Sequence, residues 1–500
     1  MYLPLGTFSP TIKIGFVSAS RGSFPRSLSE RRAKQLLKEC TAIGLNLFVP
    51  DGEAQIIETK AHALEAASQM KSAGCDAAVL YLGNFSPEIE DANFVKHFPG
   101  ISMIIAAAEE SKETLKEDRG DALCGLLSTA MAVQKRGLMS KVHIPEDPLV
   151  SSKSGVAAIA DFTKVIKVIK GISNATIGLF GPRPRDFETC NYNISSIASL
   201  GVEVEELGLF DLVKEVKKTM EEDLSDIIKS MTSEVGKDTP KEFIKRLSAY
   251  EKAVLNLRDD LRLSGMTTQC WSEQEYTLRH VPCYINARMA SQGFPISCEN
   301  DAYSLVAELM GQYASDASVT TLDLNHSIPE NFDVSISDLP TEDLVGLFHC
   351  GNTDLNRLKN PKMKHQVIMK RLMEPEGEPD ITRGTIEGQI AASPITILQI
   401  HGTNDKIQAY IAEGKILDID PRTFGSTGVA YIPGFKRFYR HVILGNFHHH
   451  TAVAFDHVGG VLFDTMKLLG IDQIYTPNPD YIPYPKENIF RRPLRPPTID

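Results

Sequence analysis

The spacing of apolar and polar positions divides the chain into three textures. Near the start, apolar runs at Ile12–Val17, Leu45–Val49, Ala77–Leu82 and Ile101–Ile105 read as strands, and Ser29–Ala42 and Ala54–Met70 as helices. The runs are nearly continuous, as in parallel strands buried on both faces, and the alternation predicts a doubly wound α/β layer. The pattern restarts at Ala175–Phe180, a strand ending in the turn Gly181-Pro182. A charged helical region follows over Phe210–Met231 and Lys241–Leu263. Gly236 and Pro240 break it into a helical hairpin whose charges solvate its outer face. After residue 320 helical periodicity fades, and Thr396–Ile400, Gln408–Ala412 and Ile416–Ile419 are short strand-like runs. Ala412-Glu413-Gly414-Lys415 reads as a hairpin turn between two of them.

The expected fold class is α/β: two Rossmann-like α/β domains followed by a C-terminal antiparallel, barrel-like β domain. Their expected bounds are 1–170, 171–320 and 321–480, with an extended Pro-rich tail at 481–500 that lies along a neighbouring subunit. Seven of the 28 prolines fall in the last 24 residues. At roughly 100–200 residues per domain, the length agrees with about three domains.

Composition changes this picture only by exclusion. With 64 acidic against 53 basic residues the net charge is −11, which argues against a nucleic-acid binder. No apolar run approaches the ~20 residues that span a bilayer, and Met1–Leu5 lacks the basic start of a secretory signal, so a cytoplasmic protein is expected. The eight cysteines show no CxxC spacing and read as small buried apolar residues. Gly181-Pro182-Arg183-Pro184-Arg185 follows a strand but matches no phosphate-loop pattern, which leaves no nucleotide site.

Three segments embed acids or imidazoles in apolar sequence: Pro295–Asp301, Thr321–His326 and Phe447–Gly459, the last containing His448-His449-His450. A lone buried charge costs several kcal/mol unless it is paired or metal-bound. Each segment also has a plainer reading, since Asn300 and Asp301 are good helix caps and Asp323 suits a turn. Taken together, a Glu, an Asp and a His give two oxygen ligands and one nitrogen, leaving open positions on an octahedral ion. That set suits Mn²⁺ best, with Mg²⁺ or Co²⁺ as alternatives. Such an ion can chelate two oxygens of an open-chain sugar while carboxylates move a proton between neighbouring carbons.

Pro282-Cys283-Tyr284-Ile285-Asn286-Ala287-Arg288, followed by Gly293–Asp301, resembles the L-fucose isomerase/L-arabinose isomerase superfamily at its approach to the first metal glutamate. The step of 24 residues from Glu299 to Asp323 matches the spacing of the two metal carboxylates in L-fucose isomerases. The ligand histidine there lies seven residues before a His-Val-Gly, which selects His450, as does the His-His-Thr of the arabinose enzymes. The resemblance implies Glu299, Asp323 and His450 as metal ligands, with Glu299 and Asp323 also transferring protons. It implies a homo-oligomer as well, a trimer-based hexamer with shared active sites. Arg21 and Arg26 stand where the family has sugar-binding arginines, and Trp271, His349 and Asn352 are further candidate substrate contacts. His349 occupies the place of a metal-associated histidine in the arabinose enzymes, while Asp323 follows the fucose type.

The expected activity is a metal-dependent aldose–ketose isomerase, an intramolecular oxidoreductase of carbohydrate metabolism working through an enediolate. The alternatives are an isomerase of a modified (6-deoxy or sulfonated) hexose and a non-catalytic sugar-binding protein on the same fold. An anionic sugar tail would need basic residues, for which Arg21, Arg26, Arg383, Lys436, Arg437 and Arg440 are candidates.

Overall fold

The computed structural model describes residues 1–109, 115–235, 239–403, 406–477 and 490. The expected tail at 481–500 lies almost wholly outside them. The chain forms two compact units, one that includes Thr11–Lys167 and one that joins Met1–Pro10 to the described residues 168–477. The boundary expected after residue 170 falls within the helix Ser152–Ile172, and that after residue 320 within the strand Val319–Ser327.

In the first unit, Ile56–Ile57, Ile14–Ala19, Ala77–Leu82, Ile101–Ala107 and Val142–His143 form a parallel sheet in that order. Ile14–Ala19 and Ala77–Leu82 are buried at every position, which explains their unbroken apolar runs. Leu45–Val49 forms no strand and contributes only an isolated bridge from Phe48 to Gly15. The helix expected over Ala54–Met70 begins later, at Lys60, because the Thr59 side chain caps it by accepting the His62 N–H. Ile56–Ile57 before it are strand residues.

The second unit contains two sheets. The smaller is parallel, in the order Ile296–Ser297, Gly265–Thr268, Thr176–Phe180, Glu203–Leu207. Its helical region is broken twice, into Leu209–Thr219, Ser225–Val235 and Lys241–Leu261. The additional break falls where Asp223 accepts the Ser225 N–H. The helix Ala302–Ser315 then leads to the larger sheet, and it is buried from Ala302 to Ala314. That helix is apolar almost all round because it has no solvent face.

The larger sheet has nine strands and is mixed, not purely antiparallel. Arg383–Ile390 with Ser426–Tyr431, and Lys406–Ile416 with Gln473–Tyr475, pair in parallel. At its centre Val319–Ser327 lies between Leu344–His349 and His450–Ala454, antiparallel to both. The hairpin expected at Ala412–Lys415 is absent, since Lys406–Ile416 runs straight through it. Gly414 is there for a different reason: a Cβ on it would stand 2.4 Å from the Tyr431 carbonyl oxygen of the adjoining strand.

One buried acid makes the stability of the first unit pH-dependent. The Asp91 carboxylate accepts from the Ser86 hydroxyl and from Thr129 Oγ1 at 2.6 Å, yet burial pushes its pKa up to about 7. An unfolded Asp titrates near 4, so the native state binds this proton more tightly. The resulting stabilisation is complete below about pH 4 and is lost as pH rises through about 7. Thermal melting of the full chain between pH 5 and 8 should show a falling midpoint that flattens in Asp91→Asn. Equal slopes in both proteins would contradict a protonated Asp91.

Candidate functional site

The site is assembled where the two sheets of the second unit meet. In open α/β sheets, ligands gather at the carboxyl ends of parallel strands. Here Trp271 follows the strand Gly265–Thr268, and Glu299 follows Ile296–Ser297. Glu299 and Asn300 both adopt left-handed backbone angles, φ 61° and 57°. Such residues store about 1–3 kcal/mol of strain each unless the surroundings hold them. They are held: Asn300 donates its N–H to the Thr268 carbonyl at 3.0 Å and its side-chain amide to the Gly181 carbonyl at 2.6 Å. The larger sheet supplies the remaining groups through register, because Asp323 pairs directly opposite His450 on one side and Phe348 on the other.

His450 is 1% exposed and lies between carboxylates on both ring edges. Its Nδ1 is 2.8 Å from Asp301 Oδ2, and its Nε2 is 2.8 Å from Glu299 Oε2 and 3.8 Å from Asp323 Oδ1. Burial alone would raise the Asp301 carboxyl. His448, His450 and the Ser304 hydroxyl instead hold it well below the usual carboxylate range. An ionised carboxylate only accepts, so the Nδ1 proton belongs to His450. With Nδ1 donating, Nε2 is the atom that faces Glu299 and Asp323. Asp323 Oδ1 is buried without a hydrogen-bond partner, and Glu299 Oε2 has none besides the His450 Nε2 that faces it.

The two carboxylates are held differently. Burial opposes ionisation of Glu299, but His450, His349 and the Trp271 indole bring it down to about 2. The Trp271 Nε1–H donates to Glu299 Oε1 at 2.9 Å and fixes the carboxylate plane. Burial, aided by the Glu299 charge, pushes Asp323 up to about 7 against the pull of His450. For His450, burial would lower the pKa, but Asp301, Cys190 and Glu299 hold it well above the ordinary range. Burial drops His349, His448 and His449 to about 4, so these imidazoles are neutral at pH 7.

A divalent cation fits this arrangement. Adjacent ligands of an octahedral ion bound at about 2.1 Å lie about 3 Å apart, and His450 Nε2 to Glu299 Oε2 is 2.8 Å. Asp323 Oδ1 is an orphaned buried oxygen, and a cation there would replace the Nε2 proton of His450 that Glu299 Oε2 faces. His349 contributes as well, since a ring nitrogen of His349, a carboxylate oxygen of Asp323 and a ring nitrogen of His450 lie within 4.8 Å of one another.

The cluster borders a cavity of about 250 Å³ lined by Trp271, Glu299, Asp323 and His349, with Phe187 and Met369 among its apolar walls. Phe187 packs edge-on against Trp271 and against His449, at 5.2 and 5.6 Å between ring centroids. Glu275 also lines this cavity, with a carboxyl that burial pushes up to about 9.

Of the residues singled out in the sequence, Glu299, Asp323, His450, Trp271 and His349 come together. Asn352 does not line the cavity. It is bonded to the Thr320 hydroxyl and the Thr321 carbonyl, both at 3.4 Å, and braces the strand that carries Asp323. Arg21 and Arg26 belong to the other unit, and carboxylates of that unit occupy their guanidinium groups. Arg21 pairs with Glu88, and Arg26 with Glu30, Glu53 and Glu58. Sequence reasoning passed over Asp301, Cys190 and Glu275. Asp301 has a visible signal as the N-cap of Ala302–Ser315, where it accepts the Ser304 N–H at 3.0 Å. Its other oxygen is what orients His450.

Asp301 therefore sets the tautomer and ring angle of the candidate ligand. Asp301→Asn should weaken divalent-cation binding by about 10–100-fold, read by electron paramagnetic resonance of free Mn²⁺ during titration. Unchanged affinity would contradict the orienting role.

Comparison with curated proteins found no match for the chain. Two family models do match: one described as the fucose/sulfoquinovose isomerase N-terminal domain, over residues 15–173, and one described as the L-fucose isomerase C-terminal domain, over residues 347–476. The second match contains His349 and His450, while Glu299 and Asp323 lie between the two. These matches span more than half of the chain, which belongs to the fucose isomerase-like family and carries the domains of a sugar isomerase.

Proposed function

We propose that the chain is a divalent-metal-dependent aldose–ketose isomerase working through an enediolate. The observation that carries this reading is the convergence of Glu299 Oε2, Asp323 Oδ1 and His450 Nε2 beside a sugar-sized cavity. A bound divalent cation supplies Lewis-acid polarisation of the sugar carbonyl and offsets the negative charge of the enediolate. An oxygen-rich set with one imidazole favours Mn²⁺.

The chain's own groups divide the remaining work. Glu299 is clamped by the Trp271 N–H and serves as a fixed ligand. Asp323 is held more loosely: its Oδ1 has no hydrogen-bond partner and stands 3.8 Å from His450 Nε2. It is therefore the group we assign to carry the proton between the two sugar carbons. His349, neutral and on the adjoining strand, borders the reacting end of the cavity. The apolar walls around Phe187, Phe348 and Met369 limit water at the enediolate.

The cavity lining also favours a neutral sugar over a sulfonated one. Among the described residues that line it there is no Lys or Arg, whereas Glu275, Glu299 and Asp323 are present. A sulfonate placed there would meet no cationic side chain among these lining residues. Arg383, Arg437 and Arg440 do not line the cavity, and Lys436 lines a separate groove. Assembly as a trimer-based hexamer in the cytoplasm completes the proposal. The exposed apolar side chains Tyr439, Ile443 and Leu444 on the helix Phe435–Leu444 offer a face for contact between subunits.

Full-length protein stripped with a chelator should lose conversion of a neutral aldose and regain it with Mn²⁺. In heavy water the product should carry deuterium at C1 or C2. Neither conversion nor exchange across a panel of neutral aldoses would overturn the proposal. Glu299→Gln and Asp323→Asn should each lower kcat by about 10²–10⁴-fold with unchanged circular dichroism. Full turnover by either variant would remove that residue from the mechanism.

A further inference from the structure

The loop that follows the strand Thr176–Phe180 ends in the short turn Glu188–Cys190. It brings a thiol to the cluster. The Sγ of Cys190, a carboxylate oxygen of Glu299 and a ring nitrogen of His450 all lie within 4.8 Å of one another. All three residues are buried, with Cys190 2% exposed. Glu299 Oε2 is buried among these groups and has no partner besides the His450 ring nitrogen 2.8 Å away. The turn is held over the site by Phe187, whose ring packs edge-on against both Trp271 and His449.

We propose that Cys190, Glu299 and His450 form a second, thiolate-containing coordination set that takes a thiophilic divalent cation of the Zn²⁺ or Cd²⁺ type. The inference rests on the metal-site reading above, because it shares Glu299 and His450 with the set completed by Asp323. The two sets differ in chemistry. Glu299, Asp323 and His450 give a hard O/O/N set with open positions, which suits an octahedral ion. Exchanging Asp323 for Cys190 gives an S/O/N set, which suits four-coordinate Zn²⁺. Binding displaces the Cys190 thiol proton to solvent, leaving a thiolate on the cation.

Cys190 is singled out from the other thiols. Cys270, Cys283, Cys298 and Cys350 all line the cavity, yet among the described residues none of them joins a group of three closely spaced ligand atoms. The consequence is competition at one place. A cation that recruits Cys190 also occupies Glu299 and His450, so Zn²⁺ or Cd²⁺ excludes Mn²⁺ and blocks the isomerase site. Zn²⁺ also lies above Mn²⁺ in intrinsic affinity for N, O and S ligands. The thiol thus makes the protein sensitive to thiophilic metals in a way that a site of oxygens and one imidazole is not.

The test uses metal-free full-length protein with Cd²⁺ and Mn²⁺ as probes. In the wild type, one equivalent of Cd²⁺ should produce a saturable ultraviolet thiolate-to-metal band and release bound Mn²⁺. Cys190→Ser should lack the band and need at least tenfold more Cd²⁺ to release Mn²⁺. Asp323→Asn should keep the band while binding Mn²⁺ more weakly, which tests the assignment even if Cys190→Ser does not fold. A band that survives in Cys190→Ser would overturn the inference by pointing to the other cysteines. Mn²⁺ binding by a wild type that shows no Cd²⁺ band would also overturn it and leave the isomerase reading standing. A Cys190-dependent band in a protein that binds no Mn²⁺ would uphold the thiolate set and count against the Mn²⁺ site.

Discussion

Everything at the candidate site depends on one imidazole held between carboxylates on both edges. His450 donates a hydrogen bond from Nδ1–H to Asp301, and that commitment turns Nε2 toward Glu299 and Asp323. Removing several carboxylates from water costs several kcal/mol per ion unless cations or hydrogen bonds compensate. In the protein alone, the imidazolium of His450 is what offsets Glu299 and Asp301. A divalent cation would supply more positive charge at the same point and a partner for the buried Asp323 Oδ1.

The scaffold produces this arrangement by joining two kinds of sheet. Parallel strands end in loops that deliver Trp271, Glu299 and Cys190 from one edge. The mixed sheet delivers Asp323 and His450 as direct cross-strand partners, where a one-residue slip would turn both side chains to the opposite face. The buried helix Ala302–Ser315 ties the two together. Its N-cap is Asp301, so helix initiation and histidine orientation are set by one side chain. The backbone oxygen of His450 is fixed separately by Gln399 Nε2 at 3.1 Å and the Tyr410 hydroxyl at 3.3 Å. Ligand geometry therefore depends on rigid elements and little on mobile side chains.

The parallel layers are legible in the sequence because strands covered on both faces are apolar at every position, as at Ala77–Leu82. The mixed sheet is harder to read. Gly414 carries the sequence signature of a turn, but it lies mid-strand because the Tyr431 backbone approaches it closely. Glu299, Asp323 and His450 stand out as polar residues in apolar sequence at spacings that resemble a known family. Asp301 and Cys190 do not, since a helix cap and a lone buried cysteine each have an ordinary explanation. Only the three-dimensional convergence gives either of them a chemical role. Arg21 and Arg26 show the converse: an arginine-rich loop invites a sugar-binding reading, while the folded unit pairs both with its own glutamates.

The proposed divalent cation among Glu299, Asp323 and His450 is open to direct observation in an anomalous-difference map from crystals grown with Mn²⁺. A single strong peak is expected within coordinating distance of Glu299 Oε2, Asp323 Oδ1 and His450 Nε2, with Asp301 still bonded to Nδ1. A strong peak elsewhere in the chain, with this cluster left empty, would contradict it.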